Sequence, residues 1–204
     1  MDFVIYVIDT ETTGLDKNEN DIIEVSFYRL SDNEQKTWCI RPQNESAISD
    51  KALQVNGHKK EDILHKTAFG IETYRQPSEV ISEIEAWIMC DGVAIEDRVF
   101  LGQNSNFDYD FMKSLWAKAD SKDTFPFGNF IVDMIHLTKL IDMCTGKRRK
   151  RYNLASLVKD FGITKQKAHR AEGDVKMTKD LFLAQFNPVK DFIADIFKDK
   201  YSEE

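Results

Sequence analysis

The sequence predicts an α/β fold in which a mixed five-stranded sheet is flanked by helices. Three strand-like segments come first along the chain, and shorter strands then alternate with helices. Strands joined by short turns pair antiparallel, whereas strands joined through a helix pair parallel, so the sheet should contain both arrangements. The chain has 204 residues, 42% of them hydrophobic, and no repeat or linker, so we expect one domain with a substantial core.

The five predicted strands differ in their surroundings. Residues 3–9 are apolar on both faces, which is typical of a strand in the middle of a sheet. Residues 21–30 and 36–41 are joined by a short polar turn, so they should form an antiparallel meander. The strands at 99–103 and 130–133 each run into a helix, which favours parallel pairing.

The predicted helices follow from apolar residues at helical spacing. They span residues 79–90, 106–118, 134 to about 143, 153–160, 172–186 and 188–198. The last of these begins at Pro188, because proline is favoured in the first turn of a helix. Two separate helices are therefore expected at the C-terminal end.

The composition narrows the location and the partners of the protein. No run approaches 18 apolar residues and no signal peptide is apparent, so neither a membrane helix nor export is expected. Cys39, Cys90 and Cys144 are widely separated and odd in number, which is typical of free thiols, and we expect a cytoplasmic location. The net charge of −7 weakly disfavours a nucleic-acid partner, but carboxylates that bind divalent ions would account for part of it.

Asp9 and Glu11 stand at the end of the first predicted strand. Side chains at i and i+2 of a strand point to one face, so the two carboxylates should emerge side by side. Two like charges this close repel unless a cation lies between them, and Mg²⁺ accepts oxygen ligands of this kind. An isolated Asp-x-Glu is most often an ordinary strand end. The apolar strand before it favours a rigidly held metal site instead.

Helix geometry distinguishes two acids in the helix predicted at 106–118. Asp108 shares its helix face with apolar residues at i+3, i+4 and i+7, so it should point into the core. Asp110 falls on the opposite face and should meet solvent. A buried carboxylate needs a partner, and neighbouring residues already offer helix caps, so a capping role for Asp108 is the weaker alternative. We expect Asp108 to be a metal ligand.

The third acidic segment contains His169 and Asp174. Asp174 is followed by Met177, Leu181 and Ala184 at helical spacing, so it should also face inward. A histidine on a polar loop is usually only exposed to solvent. His169, however, lies five residues before an inward carboxylate, and its pKa range suits proton abstraction from water near neutral pH. It is therefore a candidate general base.

Together these segments supply four inward acids and one histidine. Four carboxylates can hold two divalent ions roughly 3.5–4 Å apart, an arrangement that clamps the attacking and leaving oxygens in phosphodiester hydrolysis. We predict two Mg²⁺ ions, with Mn²⁺ able to substitute. The predicted ligands are Asp9, Glu11, Asp108 and Asp174.

Three segments of the chain resemble motifs of a known family. Residues 9–15 (DTETTGL), 104–108 (NSNFD) and 169–174 (HRAEGD) are similar to the three exonuclease motifs of the DEDDh superfamily. This superfamily includes the proofreading epsilon subunit of bacterial DNA polymerase III, RNase T and oligoribonuclease. The resemblance covers about residues 3–187, so we expect a single exonuclease domain over 1–204 that ends in the helix at 188–198.

The resemblance implies a ribonuclease H-like fold and the removal of nucleotides from a 3′ end. By motif position the four acids correspond to the metal ligands and His169 to the general base. The tyrosine-type branch of the superfamily is disfavoured, because Arg170 stands where its tyrosine would be. The expected substrate is single-stranded or frayed DNA, from which nucleoside monophosphates would be released.

The resemblance also implies contacts with the terminal nucleotide. The candidate residues are Thr12, Thr13, Leu15, Asn104, Asn56 and His58. In such enzymes an apolar residue at the position of Leu15 wedges against the last base, and the backbone before it approaches the nucleotide. Asn56 and His58 belong to a segment that resembles a substrate-side loop, and their contact with substrate is left open.

Residues 147–151 form a run of five basic residues in an otherwise acidic chain. A solvated loop is the usual interpretation of such a run. The alternative is a contact with the phosphates of the strand that feeds the site. The sequence leaves both interpretations open.

Two alternatives to a DNA exonuclease follow from the same motifs. One is a 3′→5′ exoribonuclease of the RNase T or oligoribonuclease type, because the same metal ligands serve both sugars. The other is a proofreading or accessory subunit with a DNA polymerase as partner. The chain ends about 30 residues after Asp174, without a long tail, which favours a stand-alone enzyme.

Overall fold

The computed structural model of the protein describes residues 3–64, 73–119, 124–166 and 170–201, with only the backbone from residue 191 onward. Its centre is a five-stranded sheet in the order β3-β2-β1-β4-β5. The strands are β1 (Val4–Thr12), β2 (Ile22–Arg29), β3 (Glu34–Cys39), β4 (Arg98–Gly102) and β5 (Ile131–Asp133). β1, β2 and β3 pair antiparallel, whereas β4 pairs parallel with both β1 and β5. The predicted mixed sheet is confirmed.

Helices cover both faces of this sheet. They are α1 (Asp50–Asn56), α2 (Lys60–Leu64), α3 (Pro77–Met89), α4 (Ser105–Lys118), α5 (Met134–Thr145), α6 (Leu154–Asp160) and α7 (Ala171–Tyr201). No helix in the part of the chain that the structure describes is long and apolar enough to cross a membrane. The three cysteines are free thiols, as predicted.

Alternation along β1 divides the core into two layers. Tyr6 and Ile8 pack with buried residues of α3 and α4 on one face. Val7 packs on the other face with residues of α5, α6 and α7. β1 is buried from both sides, which explains its continuous apolar run, and its odd-numbered residues point toward α7.

The ends of α5 follow from local chemistry. Asp133 caps the helix, because its side chain accepts a hydrogen bond from the backbone N–H of Ile135. Gly146 ends it in the left-handed region at φ +69°, a conformation that costs glycine little. The side chain of Asn153 caps α6 in the same way, through the N–H of Ser156.

The prediction of two C-terminal helices is wrong. A single helix, α7, runs from Ala171 to Tyr201 and contains Pro188 in its interior. Proline removes one backbone donor, so the carbonyl of Ala184 four residues earlier loses its helical partner. Ala184 and Pro188 are both exposed, so water can satisfy that carbonyl. The expectation that Ala184 faces inward is wrong.

A single domain over 1–204 remains our proposal, supported by the one continuous sheet.

Candidate active site

β1 carries two of the predicted ligands near its carboxyl end. Asp9 and Glu11 share the face of Val7, against which α7 packs, and Asp174 lies in the first turn of α7. Ligand oxygens of these three acids lie within 4.8 Å of one another. One metal ion could be shared by all three at this separation. The structure therefore brings together three of the four predicted ligands.

Asp108 approaches from the opposite face of the sheet. It lies in the first turn of α4 and is only 4% exposed. Its Oδ1 accepts hydrogen bonds from the backbone N–H of Thr10 at 2.9 Å and from the Thr10 hydroxyl at 2.7 Å. Thr10 stands between Asp9 and Glu11, so Asp108 lies next to the three-acid cluster but is held to β1 rather than within it.

The predicted difference between the two acids of α4 is confirmed. Asp108 is buried with the apolar face of the helix, whereas the side chain of Asp110 is 48% exposed. Asp110 forms a surface ion pair with Lys17 at 2.6 Å. Helical spacing alone separated the two environments correctly.

The electrostatics of the cluster disfavour several negative charges held together without a cation or bound protons. Burial raises the pKa of Asp9 well above its ordinary value, and the charges of Asp108 and Asp174 raise it further. Burial raises the pKa of Glu11 to about 8, with Asp174 as the next cause. A divalent ion would relieve both the desolvation and the repulsion. The donors are all carboxylate oxygens, which fit hard ions such as Mg²⁺ and Mn²⁺.

Asp133 is an acid of this region that the sequence analysis did not select. Burial raises the pKa of Asp108 to about 7, hydrogen bonds from Thr10 oppose this, and the charge of Asp133 adds to it. Asp133 ends β5, and its Oδ1 also accepts a hydrogen bond from the N–H of Asn104 at 3.2 Å. An acid directly after an apolar strand is the signal that identified Asp9, and it could have identified Asp133.

Glu24 is a second acid that the sequence analysis missed. It lies on β2 directly opposite Glu11, and its fully buried carboxylate is 2.6 Å from Arg170 Nη2 and 3.3 Å from His58 Nε2. Burial raises the pKa of Glu24, but the nearby His58 ring and the hydrogen-bonded Arg170 guanidinium outweigh this effect and lower it to about 2. Glu24 is thus neutralised within the protein, and it joins the segment before α7 to the sheet. Only the strand register reveals this, so no local pattern could have predicted it.

The predicted general base, His169, lies outside the described residues. Its sequence neighbour Arg170 is described, and Arg170 is held at Glu24 beside the acidic cluster. The role of His169 therefore stays a prediction.

The turn after β1 is held by internal hydrogen bonds. The carbonyl of Thr12 accepts a bond from Asn56 Nδ2, and the N–H of Thr13 donates to the carbonyl of Asp21. The strand register shifts between Glu11 and Thr12, an irregularity of the kind that re-aims side chains next to active sites. These bonds fix the backbone that is expected to approach substrate.

Leu15 projects from this turn with 86% of its surface exposed. It borders a cavity of about 340 Å³, lined also by Asp16, Lys17, Asn18, Phe107, Asp110 and Phe111. The position is suited to the wedge role predicted for Leu15. Asn104 is exposed as well, at φ +64°, in the turn that leads into α4.

Asn56 and His58 are directed into the protein. Asn56 is 3% exposed and bonds to Thr12, while the ring of His58 is held between Glu24 and the hydroxyl of Tyr74, 2.6 Å from Nδ1. In this arrangement both side chains support the turn and the Glu24 network. Their direct contact with substrate stays a prediction.

The fold and the site together define the class of protein. A five-stranded mixed sheet of the ribonuclease H-like type carries a cluster of carboxylates beside the ends of β1 and β4. A family model described as "Exonuclease" (RNase T) matches residues 6–182. The chain belongs to this exonuclease family, whose members depend on divalent metals and hydrolyse nucleic acids.

Individual relatives agree with this assignment. A PolC-type DNA polymerase III of Thermotoga maritima is 28% identical over 89% of this chain, which spans only 12% of that protein. A DNA polymerase III subunit epsilon of Treponema pallidum is 28% identical over 85% of this chain and 72% of the subunit. The predicted resemblance to DEDDh exonucleases is confirmed.

A solved structure shares the fold. The zinc-bound form of the E. coli ExoI complex with single-stranded DNA has a TM-score of 0.68 and 15% sequence identity. The match covers 96% of this chain and 43% of that one.

Proposed function

We propose that this chain is a 3′→5′ exonuclease that releases nucleoside monophosphates from the 3′ ends of single-stranded or frayed DNA, using two divalent ions. The observation that carries the proposal is the cluster of Asp9, Glu11 and Asp174, with ligand oxygens within 4.8 Å of one another. Asp108 adjoins this cluster through Thr10.

The four acids would hold the two ions, Mg²⁺ being the first choice and Mn²⁺ a substitute. When bound, divalent ions supply activation of a water molecule and stabilisation of charge on the leaving 3′-oxygen. Thr10 keeps Asp108 oriented, because its N–H and hydroxyl both donate to one carboxylate oxygen. Asp9 and Glu11 are held on a strand buried on both faces, so little reorganisation is needed for binding.

Three further predicted residues would act on the attacking water or on the substrate. His169 would accept a proton from the attacking water, a role that commonly contributes about 10²–10⁴-fold to the rate. Leu15 would wedge against the terminal base, since it is exposed at the edge of a cavity that contains Phe107 and Phe111. Asn104 would contact the nucleotide from the start of α4.

DNA is the proposed substrate because of the proteins that this chain resembles. The relatives include a DNA polymerase III epsilon subunit, and one structural neighbour is a complex with single-stranded DNA. The same relatives support a polymerase as a partner of the whole protein. An exoribonuclease of the RNase T type is the alternative that the experiment below separates.

Digestion of 5′-labelled oligonucleotides tests the proposal. Single-stranded DNA, duplex DNA with a 3′ mismatch, and RNA would each be incubated with Mg²⁺ or with EDTA. We expect a ladder of products shortened one nucleotide at a time from the 3′ end of single-stranded DNA, absent in EDTA. Faster shortening of RNA would reassign the substrate, and no cleavage of any substrate with Mg²⁺ or Mn²⁺ would overturn the proposal.

A further inference from the structure

The basic run at 147–151 does not behave as a uniform solvated loop. Four of its side chains are exposed, and they belong to Lys147, Arg148, Lys150 and Arg151. The fifth, Arg149, has only 4% of its side chain exposed. The loop is therefore folded around one buried guanidinium, and the other four charges are displayed outward.

Arg149 fixes the loop between two helices. Its guanidinium pairs with Asp142 of α5 at 2.9 Å and with Asp160 at the end of α6. It also lies over the ring of Phe161, 4.9 Å from the ring centroid. Because Arg149 balances one of these two negative charges, the remaining one offsets only part of the charge of the four exposed residues.

The course of the loop leads toward the candidate active site. α5 begins at the capping Asp133, beside Asn104, and its 12 residues carry the chain about 18 Å away. The loop then returns from Gly146 to Tyr152. The carbonyl of Tyr152 accepts a hydrogen bond of 2.7 Å from Gln103, the residue before Asn104. The four exposed charges thus lie on a path that ends next to the second acidic segment.

A groove accompanies this path. It has a volume of about 710 Å³ and is lined by Lys139, Asp142, Met143, Gly146, Lys147, Arg148, Arg149 and Tyr152. Four of these side chains are basic and one is acidic. Since the acid, Asp142, is paired with Arg149, three basic side chains line the groove beyond that pair. Lys139 also stands 5.5 Å from the ring centroid of Tyr152.

We propose that Lys139, Lys147, Arg148, Lys150 and Arg151 form a basic track that binds the phosphates of the single strand on the 5′ side of the scissile end. This rests on the proposed function. The loop returns along α5, whose length of about 18 Å is enough for several consecutive phosphates of one strand. A flexible single strand fits such a track better than a rigid duplex, because its backbone can follow the turn of the loop.

The test compares a long and a short substrate on two variants of the full chain. One variant replaces Lys147, Arg148, Lys150 and Arg151 with alanine. The control exchanges lysine and arginine at the same four positions, Lys147→Arg, Arg148→Lys, Lys150→Arg and Arg151→Lys, which keeps the charge. Arg149 is unchanged in both, so the loop keeps its anchor. The substrates are a 20-nucleotide oligothymidylate and a thymidylate dinucleotide.

We expect the alanine variant to raise KM for the 20-mer about tenfold or more, with kcat and the KM for the dinucleotide unchanged. The dependence of 20-mer affinity on salt should fall by about 0.7 for each phosphate contact removed. The charge-retaining control should stay close to wild type on both substrates.

An unchanged KM for the 20-mer, or equal losses on both substrates, would overturn the basic track while leaving the nuclease activity standing. If wild type cleaves neither substrate, the proposed function fails, and binding of the labelled 20-mer in Ca²⁺ decides the track separately. Weaker binding by the alanine variant than by its charge-retaining control would support it, and equal binding would exclude it.

Discussion

At the scale of single residues, Asp108 and Asp110 offer the sharpest contrast. They lie two positions apart in α4, yet one is buried at Thr10 and the other is paired with Lys17 at the surface. Asp108→Ala should abolish cleavage, because it removes a proposed metal ligand, whereas Asp110→Ala should retain most of the activity. Turnover measured at saturating Mg²⁺ checks this. Equal effects of the two changes would refute the proposed ligand role of Asp108.

Glu11 makes the stability of the metal-free protein depend on pH. Its pKa rises from 4.5 to about 8, so between these values the folded state holds a proton that the unfolded chain has released. The stabilisation is complete below about pH 4.5 and is lost as the pH rises through about 8. In EDTA, Tm should fall more steeply over this range in the wild type than in Glu11→Gln.

Metal addition supplies the control for this titration. Because the ion replaces the protons, excess Mn²⁺ should raise Tm most at the alkaline end of the range. Identical pH slopes for wild type and Glu11→Gln in EDTA would show that Glu11 does not carry this proton.

The Arg170–Glu24 pair is expected to stabilise the fold as well as to hold the segment before α7 at the sheet. Arg170→Ala leaves a fully buried carboxylate with one partner fewer, and because Arg170 is itself 41% exposed the cost should be about 1–3 kcal/mol. Lys176→Ala, in the neighbouring helix α7, removes only an exposed ion pair with Glu172 and should change stability by less than about 0.5 kcal/mol. Urea denaturation measures both. Equal losses would argue against a special role for Glu24.

The sequence could predict most of the site residue by residue, because strand and helix periodicity decide which way a side chain points. Periodicity correctly predicted that Asp9 and Glu11 share one face of β1 and that Asp108 is buried. Glu24 escaped prediction, since its partners Arg170 and His58 are distant in the chain and meet only through the strand register.

At the scale of elements, the loop after α5 depends on one ion pair. Arg149 and Asp142 are 4% and 3% exposed, so Arg149→Ala would leave a buried, incompletely paired carboxylate. We expect a loss of about 3–5 kcal/mol, the usual cost of breaking a buried pair. Arg148→Ala, one residue away on the exposed side, should cost less than about 0.5 kcal/mol. Comparable losses in thermal unfolding would disprove the anchoring role of Arg149.

Element boundaries show where periodicity fails. α1 and α2, between β3 and α3, were not predicted, because they are short and each buries few apolar residues. Pro188 was taken as a helix start, but α7 continues through it. Proline is favoured at the first turn of a helix, but an exposed turn also accommodates it in the interior, because water can bond to the carbonyl that it leaves unpaired.

At the scale of the whole molecule, the sheet explains how distant segments form one site. α7 brings Asp174 to the odd-numbered face of β1, and α4 brings Asp108 to the even-numbered face. The acids meet near the carboxyl end of β1, beyond the residues that pair with β4. The central position of β1 was predictable from its run of apolar residues. The approach of Asp108 and Asp174 from opposite faces of β1 was not.

The net negative charge of the chain bears on how the whole molecule would bind nucleic acid. A net charge of −7 would oppose nucleic acid if it were spread evenly. Part of the negative charge is instead clustered at Asp9, Glu11 and Asp174, while four basic residues of 147–151 are exposed. Bound cations and the basic track would together attract the substrate.

The proposed mechanism requires that the acidic cluster hold two divalent ions. Calorimetric titration of the metal-free protein with Mn²⁺ tests it most directly, with Asp9→Asn and Asp110→Asn as matched variants. We expect wild type and Asp110→Asn to bind two ions, and Asp9→Asn to lose metal binding together with nuclease activity. Unaltered Mn²⁺ binding in Asp9→Asn, or cleavage by a protein that binds no ion, would contradict it.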